Sequence, residues 1–405
     1  MLIAALSIAL AGMAWGASNQ ADAPQAVADA PLATIGFGSC LNQEQPSEAL
    51  HTCAKLRPDV FVFLGDNIYA DTTDEAVFKA KYAKLDAQPG LRAMREAGTR
   101  VLATWDDHDF GKNDAGADYT FKAESQRLFL DFWGEPAGSA RRARAGIYDA
   151  QVFGPEGKRV QIILLDTRTH RSPLVRRPAR APGPDGKSPG RGPWWAGGYA
   201  GDYLANADAS TTILGEQQWA WLEEQLRVPA QVRIIATSIQ FVSEEHRFEN
   251  WANFPHERGR MVDLINRTGA AGVLFISGDR HWAEISTLRQ GRLTARPPTF
   301  EDPAFVPAPD AQQPAYALID ATSSALNRNA SKRVEMNMHR DGAGVHANSP
   351  YGLANFGWIT LDWEGEGSVT IEVRDQRGAS VISKRASLSD LRAPAGARGP
   401  ASPAP

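Results

Sequence analysis

Short apolar runs recur along the chain at residues 32–37, 59–64, 100–105, 160–165, 232–239 and 273–277, each closed by small or polar residues. The run Asp59 to Leu64 is continuously apolar after its first residue, the pattern of a strand buried on both faces. Between these runs, apolar positions recur with helical spacing at 50–56, 75–97, 122–133, 215–226 and 256–267. Strands alternating with helices predict an α/β architecture, in which ligands gather at the carboxyl ends of the strands. Residues 355–385 alternate apolar and polar instead, with Trp358, Thr360 and Asp362 and then Val369, Ile371 and Val373. They predict antiparallel strands that complete a second sheet.

The composition, 43% apolar and 22% charged over 405 residues, fits a packed globular protein, read here as one large domain over residues 32–390. Met1 to Ala17 are uncharged and mostly apolar, with Ala14, Gly16 and Ala17 near a cleavage point. The run is short for a spanning helix, so the expectation is a secretory signal over 1–17 and a periplasmic or secreted protein. No second apolar stretch approaches membrane length. Residues 18–31 are expected as a flexible mature N-terminus and 391–405 as a disordered tail. An Arg/Pro/Gly-rich insertion at 171–200, ending in Trp194 and Trp195, reads as a lid or binding loop or as a surface insertion. The net charge of −4 argues against general attraction to a nucleic-acid backbone, so no nucleic-acid-binding surface is expected. A monomer is expected.

The candidate chemistry sits where the predicted strands end. Gly38-Ser39-Cys40 follow the first strand, Gly65-Asp66-Asn67-Ile68-Tyr69 the second, and Trp105-Asp106-Asp107-His108-Asp109, with Asn113 and Asp114, the third. Ser238-Ile239-Gln240 close a later strand and Gly278-Asp279-Arg280-His281 the last. A hydrolase built on two metal ions needs a carboxylate that reaches both, further donors for each, and a group to protonate the leaving oxygen. Asp66 is the natural bridge. Asp279 and His281 can face different ions, and Asp107 and Asn113 offer hard oxygens. Tyr69 can turn back as a phenolate and Cys40 can act as a thiolate. Thiolate and phenolate together favour a ferric ion, whereas amide and carboxylate oxygens favour a harder ion such as Ca2+ or Mg2+. The cysteines, Cys40 and Cys53, leave another reading open: in an exported protein they form one disulfide.

Phe37-Gly-Ser-Cys40, Phe63-Leu-Gly-Asp-Asn-Ile-Tyr69, Trp105-Asp-Asp-His-Asp109, Leu165-Asp-Thr-Arg168 and Ser277-Gly-Asp-Arg-His281 together resemble the signature of PhoD-like metallophosphatases, over residues 33–365. These are a branch of the calcineurin-like metallophosphoesterase superfamily. Gly-Ser-Cys stands where ordinary calcineurin-like enzymes begin with Asp-x-His, which favours the PhoD branch. The resemblance implies an α/β (α+β) fold, a β-sandwich flanked by helices on both faces. It implies hydrolysis of phosphate monoesters and diesters at alkaline pH with iron and calcium. Cys40, Asp66, Tyr69 and His281 would hold Fe3+, and Asp66 would bridge to Ca2+, with Asn113 and Asp279 as Ca2+ ligands. Asp107 would be a ligand or stand beside one, and Zn2+, Mn2+ or Mg2+ are alternatives for either metal. The third motif departs from the family's form in reading Asp-Asp-His-Asp rather than Asp-Asp-His-Glu.

His108 is the expected general acid, or else the group that orients Asp107. Arg280 and Arg168 are candidates for phosphate contact, since a guanidinium fits two oxygens at once, or for structural ion pairs. Asn67 and Gln240 are candidate substrate contacts, Gln240 also a metal contact. The expected partner is a small phosphate ester. Two other functions fit the same motifs: a dedicated phosphodiesterase or phospholipase, and a secreted anion-binding protein on an inactive hydrolase fold.

Overall fold

A computed structural model describes residues 30–176, 203–243, 248–288, 313–328 and 350–394. The expected signal, nearly all of the expected flexible N-terminus, most of the 171–200 insertion with Trp194 and Trp195, and the tail beyond residue 394 lie outside the described residues.

The first half of the chain runs β1 (Thr34–Gly38), α1 (Glu48–Lys55), β2 (Val60–Leu64), α2 (Glu75–Asp86), α3 (Pro89–Glu96), β3 (Arg100–Thr104), α4 (Asp107–Phe110), α5 (Lys122–Phe132), α6 (Ala140–Ala143), β4 (Asp149–Phe153) and β5 (Val160–Leu164). A short pair, β6 (Val175–Arg176) and β7 (Tyr203–Leu204), precedes α7 (Gly215–Leu226), β8 (Val232–Ala236), α8 (Pro255–Thr268) and β9 (Val273–Ser277). The remaining strands are β10 (Ala283–Leu288), β11 (Leu318–Ser323), β12 (Asn355–Asp362), β13 (Ser368–Asp375) and β14 (Ser380–Ser387).

Two six-stranded sheets result, ordered β14-β13-β12-β1-β2-β3 and β10-β11-β9-β8-β5-β4. Strand β2 shows why they stack. Its residues Val60, Val62 and Leu64 join Ile162, Leu164, Ile234 and Ile276 of the other sheet in one core. Phe61 and Phe63, pointing the other way, pack with Leu50, Phe78, Leu91 and Phe129 of α1, α2, α3 and α5 in a second core. A period of two on a strand thus serves both layers. Each fully buried phenylalanine contributes on the order of 1.5–3 kcal/mol. On the far side, Trp219 and Leu222 of α7 and Met261 and Ile265 of α8 cover the second sheet. The architecture is the helix-flanked β-sandwich expected above.

Three details differ from expectation. The helix predicted over 75–97 is two helices, α2 and α3, because Pro89 opens the second and holds Gln88 extended at φ −60°, ψ 126°. Strands β12–β14 do not complete a second sheet: β12 pairs antiparallel with β1 and extends the first. Strands β10 and β11 were not anticipated because polar residues interrupt their apolar pattern. The fold satisfies those residues internally: the carboxylate of Asp320 accepts from Phe241 N at 2.8 Å, Val242 N at 3.0 Å and Ser277 Oγ at 2.7 Å. Among the described residues, no helix is long and apolar enough to cross a membrane.

Candidate metal centre

The parallel strands β1–β3 and β8, β9 and β11 end on the same side, and backbone hydrogen bonds sew their turns together. Ser39 N donates to Ser323 O at 3.1 Å, Cys40 N to Gly65 O at 3.3 Å, Leu41 N to Asp66 O at 2.9 Å and Gly278 N to Ser238 O at 3.0 Å. The approach is so close that a Cβ on Gly65 would lie 2.5 Å from Asp106 Cβ, and one on Gly278 would lie 2.5 Å from Ser39 Oγ. Cys40, Asp66, Asp279 and His281 all adopt left-handed backbone, with φ of 60°, 48°, 69° and 59°. Each costs on the order of 1–3 kcal/mol in a non-glycine residue and persists only where the surroundings enforce it. These turns reverse the backbone so that the side chains converge.

Four predicted donors meet at one point. Cys40 Sγ donates to Asp66 Oδ2 at 3.4 Å, the Tyr69 hydroxyl donates to the same oxygen at 3.2 Å, and that hydroxyl lies 3.1 Å from His281 Nε2. Ser324 braces the group: its Oγ is 3.1 Å from Cys40 Sγ and accepts from His281 N at 2.9 Å. Burial and then the Asp66 charge push the Cys40 thiol and the Tyr69 phenol up. Burial, then the guanidinia of Arg280 and Arg328, push His281 down to about 3, leaving a neutral imidazole with a lone pair to offer. Cys53 is elsewhere: both cysteines are buried and free, so the disulfide reading does not hold. Titration of unfolded, unreduced protein is therefore expected to count both thiols; a count of zero would restore the bridge.

The other oxygen of Asp66, Oδ1, faces a second group, where it accepts from His108 N at 3.4 Å. Ligand atoms of Asp66, Asp107 and His108 lie within 4.8 Å of one another, as do those of Asp106, Asp107 and Asp279, and as do those of Cys40, Asp66 and His281 in the first group. Burial pushes Asp66 well up, and pushes Asp279 up to about 6 against the opposing pull of Arg280. Burial also works against a charged Asp107, but His108 and Arg168 outweigh it and hold this carboxyl below the usual range. Two buried oxygens, Asp106 Oδ2 and Asp279 Oδ2, accept no hydrogen bond. The latter lies 2.7 Å from Arg280 Nη2, close enough for attraction without a hydrogen bond's alignment. Buried carboxylates crowded this way, with Asp106 Oδ2 left without a partner, fit a cation as the missing one.

Around this core sit residues that position it. The Asp109 carboxylate accepts from Asp106 N at 2.6 Å, Asp66 N at 3.2 Å, Asn67 N at 3.3 Å and Asn67 Nδ2 at 2.6 Å, joining two of the turns. Asn67, a candidate substrate contact, is fully buried; its Nδ2 donates to Asp109 and to Thr104 O at 2.8 Å, while its Oδ1 accepts no hydrogen bond. His108 Nδ1 lies 2.8 Å from both oxygens of Asp71. Burial disfavours its charge, but Asp107, Asp66 and Asp71 outweigh that and push the imidazole up to about 11. Arg280 stays beside the cluster, its guanidinium carbon 4.3 Å from the Phe248 ring centroid, with Nε and Nη1 buried and unpartnered.

Three expectations are corrected. Arg168 does not contact substrate: its side chain is 0% exposed, Nε donates to Asp106 Oδ1 at 2.6 Å and Nη1 to Glu249 Oε2 at 2.6 Å, and Glu249 in turn meets Arg171. It is the structural ion pair. Gln240 is buried too, and its Nε2 is spent inside the protein, donating to Glu284 and to Thr322 Oγ1 at 2.7 Å. Asn113 is exposed, and it is its neighbour Asp114 that reaches Asp107, donating N–H to Oδ2 at 2.7 Å. Sequence reasoning passed over Asp71, Asp106, Asp109, Ser324 and Arg328. Asp106 and Asp109 lay inside a recognised motif and Asp71 is two residues past Tyr69, so a signal existed. Ser324 and Arg328 follow β11, which carried none.

The chain is similar to known phosphatases. Alkaline phosphatase D of Bacillus subtilis (strain 168) is 24% identical over 310 residues, which cover 64% of this chain and 48% of that protein. The chain thus spans about half the length of that curated relative. A solved structure described as PhoD superposes with a TM-score of 0.60 at 16% identity, over 90% of this chain and 72% of that one, and shares the fold. The sequence profile of PhoD-like phosphatases matches residues 35–364, most of the chain, which therefore belongs to the PhoD-like phosphatase family.

Proposed function

We propose that this protein is a metal-dependent phosphoric ester hydrolase acting on small phosphate esters. The observation that carries the reading is Asp66, a buried carboxylate with Oδ2 among Cys40, Tyr69 and His281 and Oδ1 toward Asp107 and His108. One group offers thiol, phenol and imidazole, which suit Fe3+; the other offers the carboxylates of Asp107, Asp279 and Asp106, which suit Ca2+. Bound there, such cations would neutralise phosphoryl charge and lower the pKa of an attacking water.

The chain's own residues supply the rest. His108, held protonated by Asp107, Asp66 and Asp71, gives its proton to the leaving oxygen. Arg280, with two unpartnered N–H groups, contacts the phosphoryl oxygens. Asp109 and Ser324 keep the turns in register. Export belongs to the same proposal and rests on the uncharged, apolar run of residues 1–17.

Elemental analysis of protein purified without added metal, paired with hydrolysis of p-nitrophenyl phosphate and its bis-ester, tests this reading. Iron near one per chain and calcium-dependent cleavage would support it in full. Zinc, manganese or magnesium in place of either would change the metals and leave the hydrolase. No bound metal, and no cleavage after iron and calcium are added, would overturn it in favour of an anion-binding protein.

His108→Ala is expected to lower kcat about 10²- to 10⁴-fold, the range for a lost general acid, with normal metal content. Asp71→Asn removes a negative neighbour from the imidazolium and so lowers its pKa. The alkaline limb of the pH–rate profile is then expected to move to lower pH, by about one unit or more. An unmoved limb would remove His108 from the proton transfer.

A further inference from the structure

Arg328, five residues past the end of β11, is an arginine the motifs did not single out. Its backbone is fastened to the turn that carries Cys40: Leu326 N donates to Ser39 O at 3.0 Å and Arg328 N to Cys40 O at 3.2 Å. Asn327 locks the same segment, its Oδ1 accepting from Asn42 N at 2.6 Å and its Nδ2 donating to Asn42 O at 2.9 Å and Gln45 O at 3.0 Å. From this rigid base the exposed side chain reaches over Tyr69, its guanidinium carbon 4.6 Å from the ring centroid. The hydroxyl of that ring is bound to Asp66 and to His281 in the first donor group.

Of the other arginines near the centre, two are fully committed and Arg280 is committed through Nη2 alone. Arg168 and Arg171 are buried against Asp106 and Glu249, and Arg280 lies against Asp279. Arg328 meets no carboxylate among the described residues. A guanidinium held over a ring spends no N–H on that contact when it lies parallel to it, and its N–H groups form a fork that matches two oxygens of a phosphate.

We propose that Arg328 is a substrate-recognition residue: it binds non-bridging phosphoryl oxygens and makes this centre favour monoester dianions over diester monoanions. A monoester dianion has three terminal oxygens and two charges, enough to engage this fork as well as Arg280. A diester monoanion has one oxygen and one charge fewer. The inference rests on the phosphoesterase reading above, and the wild-type protein tests that reading separately.

The experiment compares the metal-loaded full chain with its Arg328→Ala and Arg328→Lys variants. It measures kcat and KM on p-nitrophenyl phosphate and on its bis-ester, binding of inorganic phosphate by calorimetry, and metal content. For Arg328→Ala we expect kcat/KM on the monoester and phosphate affinity to fall about ten- to a hundredfold, the size of a lost charge-assisted hydrogen bond. The bis-ester should change less than about threefold and metal content should hold. Arg328→Lys should fall between, since it keeps the charge and loses the fork. Equal losses on both esters, a loss of metal, or no loss at all would overturn the proposal. If the wild type cleaves neither ester, phosphate calorimetry still decides. Binding lost in Arg328→Ala would keep Arg328 as an anion-recognition residue while the hydrolase reading falls; binding unchanged, or absent already in the wild type, would sink both.

Discussion

Replacing Asp66 with alanine is expected to abolish turnover and metal binding together, while leaving the metal-free fold no less stable. Its two oxygens face two donor groups, so their loss opens both at once. The activity should fall by more than about a thousandfold, beyond the 10²–10³ that a single preorganised donor contributes. The stability half follows from the direction of its pKa. Burial, with Asp107, Asp109 and Asp279 nearby, raises the Asp66 carboxyl well above its ordinary value. A carboxyl whose folded-state pKa lies above its unfolded one binds more protons when folded, so it destabilises the metal-free fold once the pH exceeds the unfolded value near 4. At pH 7 the alanine variant is relieved of that cost. Thermal unfolding of chelator-treated wild type and variant would show it: a midpoint no lower in Asp66→Ala, with iron and calcium both missing from the untreated variant. If one metal stayed at wild-type level, Asp66 would not be the bridge.

Replacing Arg168 with alanine should do the reverse and damage the fold first. The guanidinium is fully buried between Asp106 and Glu249, both nearly inaccessible to water. Removing it leaves Asp106 buried without its counter-charge and Glu249 with Arg171 alone, a change that costs about 3–5 kcal/mol. Urea unfolding of metal-free protein would report this as a lower midpoint at constant slope. The double variant Arg168→Met, Asp106→Asn removes a carboxylate charge together with the cation, leaves Glu249 to Arg171, and should recover much of the stability. Recovery without activity would be consistent with the place of Asp106 in the second donor group. A phosphate-contact role for Arg168 predicts a higher KM with no loss of stability, and that outcome would reinstate it.

The strands and helices of this chain were legible largely because burial has a period. Val60 to Leu64 must bury both faces, and the amphipathic stretches that became α5, α7 and α8 must bury one. Boundaries failed where local chemistry outweighed the pattern, as at Pro89, and strands failed where they carry polar residues that the fold satisfies internally, as at Asp320 and Thr322 in β11. The same division holds in the centre. Cys40, Asp66, Tyr69, Asp107, His108, Asp279 and His281 were named from turns at strand ends, where donor types and order are informative. Arg168 and Gln240 lay in equally polar stretches, and nothing in one dimension distinguishes a guanidinium aimed at substrate from one aimed at a buried glutamate 81 residues away.

The order of residues alone decided which segments are buried strands and which are amphipathic helices, the ends of the strands where chemistry gathers, and the kinds of donor present, because each depends on local periodicity and side-chain type. Only the folded chain decided which donors share a point. Left-handed backbone at Cys40, Asp66, Asp279 and His281 turns side chains from both sheets toward one another. Hydrogen bonds between residues hundreds of positions apart, such as Ser39 N to Ser323 O, fix their separation. The freedom of both cysteines, the partnership of His108 with Asp71 and the reach of Arg328 over Tyr69 arise the same way. Contacts of this range are set by sheet register and by how turns pack at the sandwich's end, and neither leaves a periodic trace along the chain.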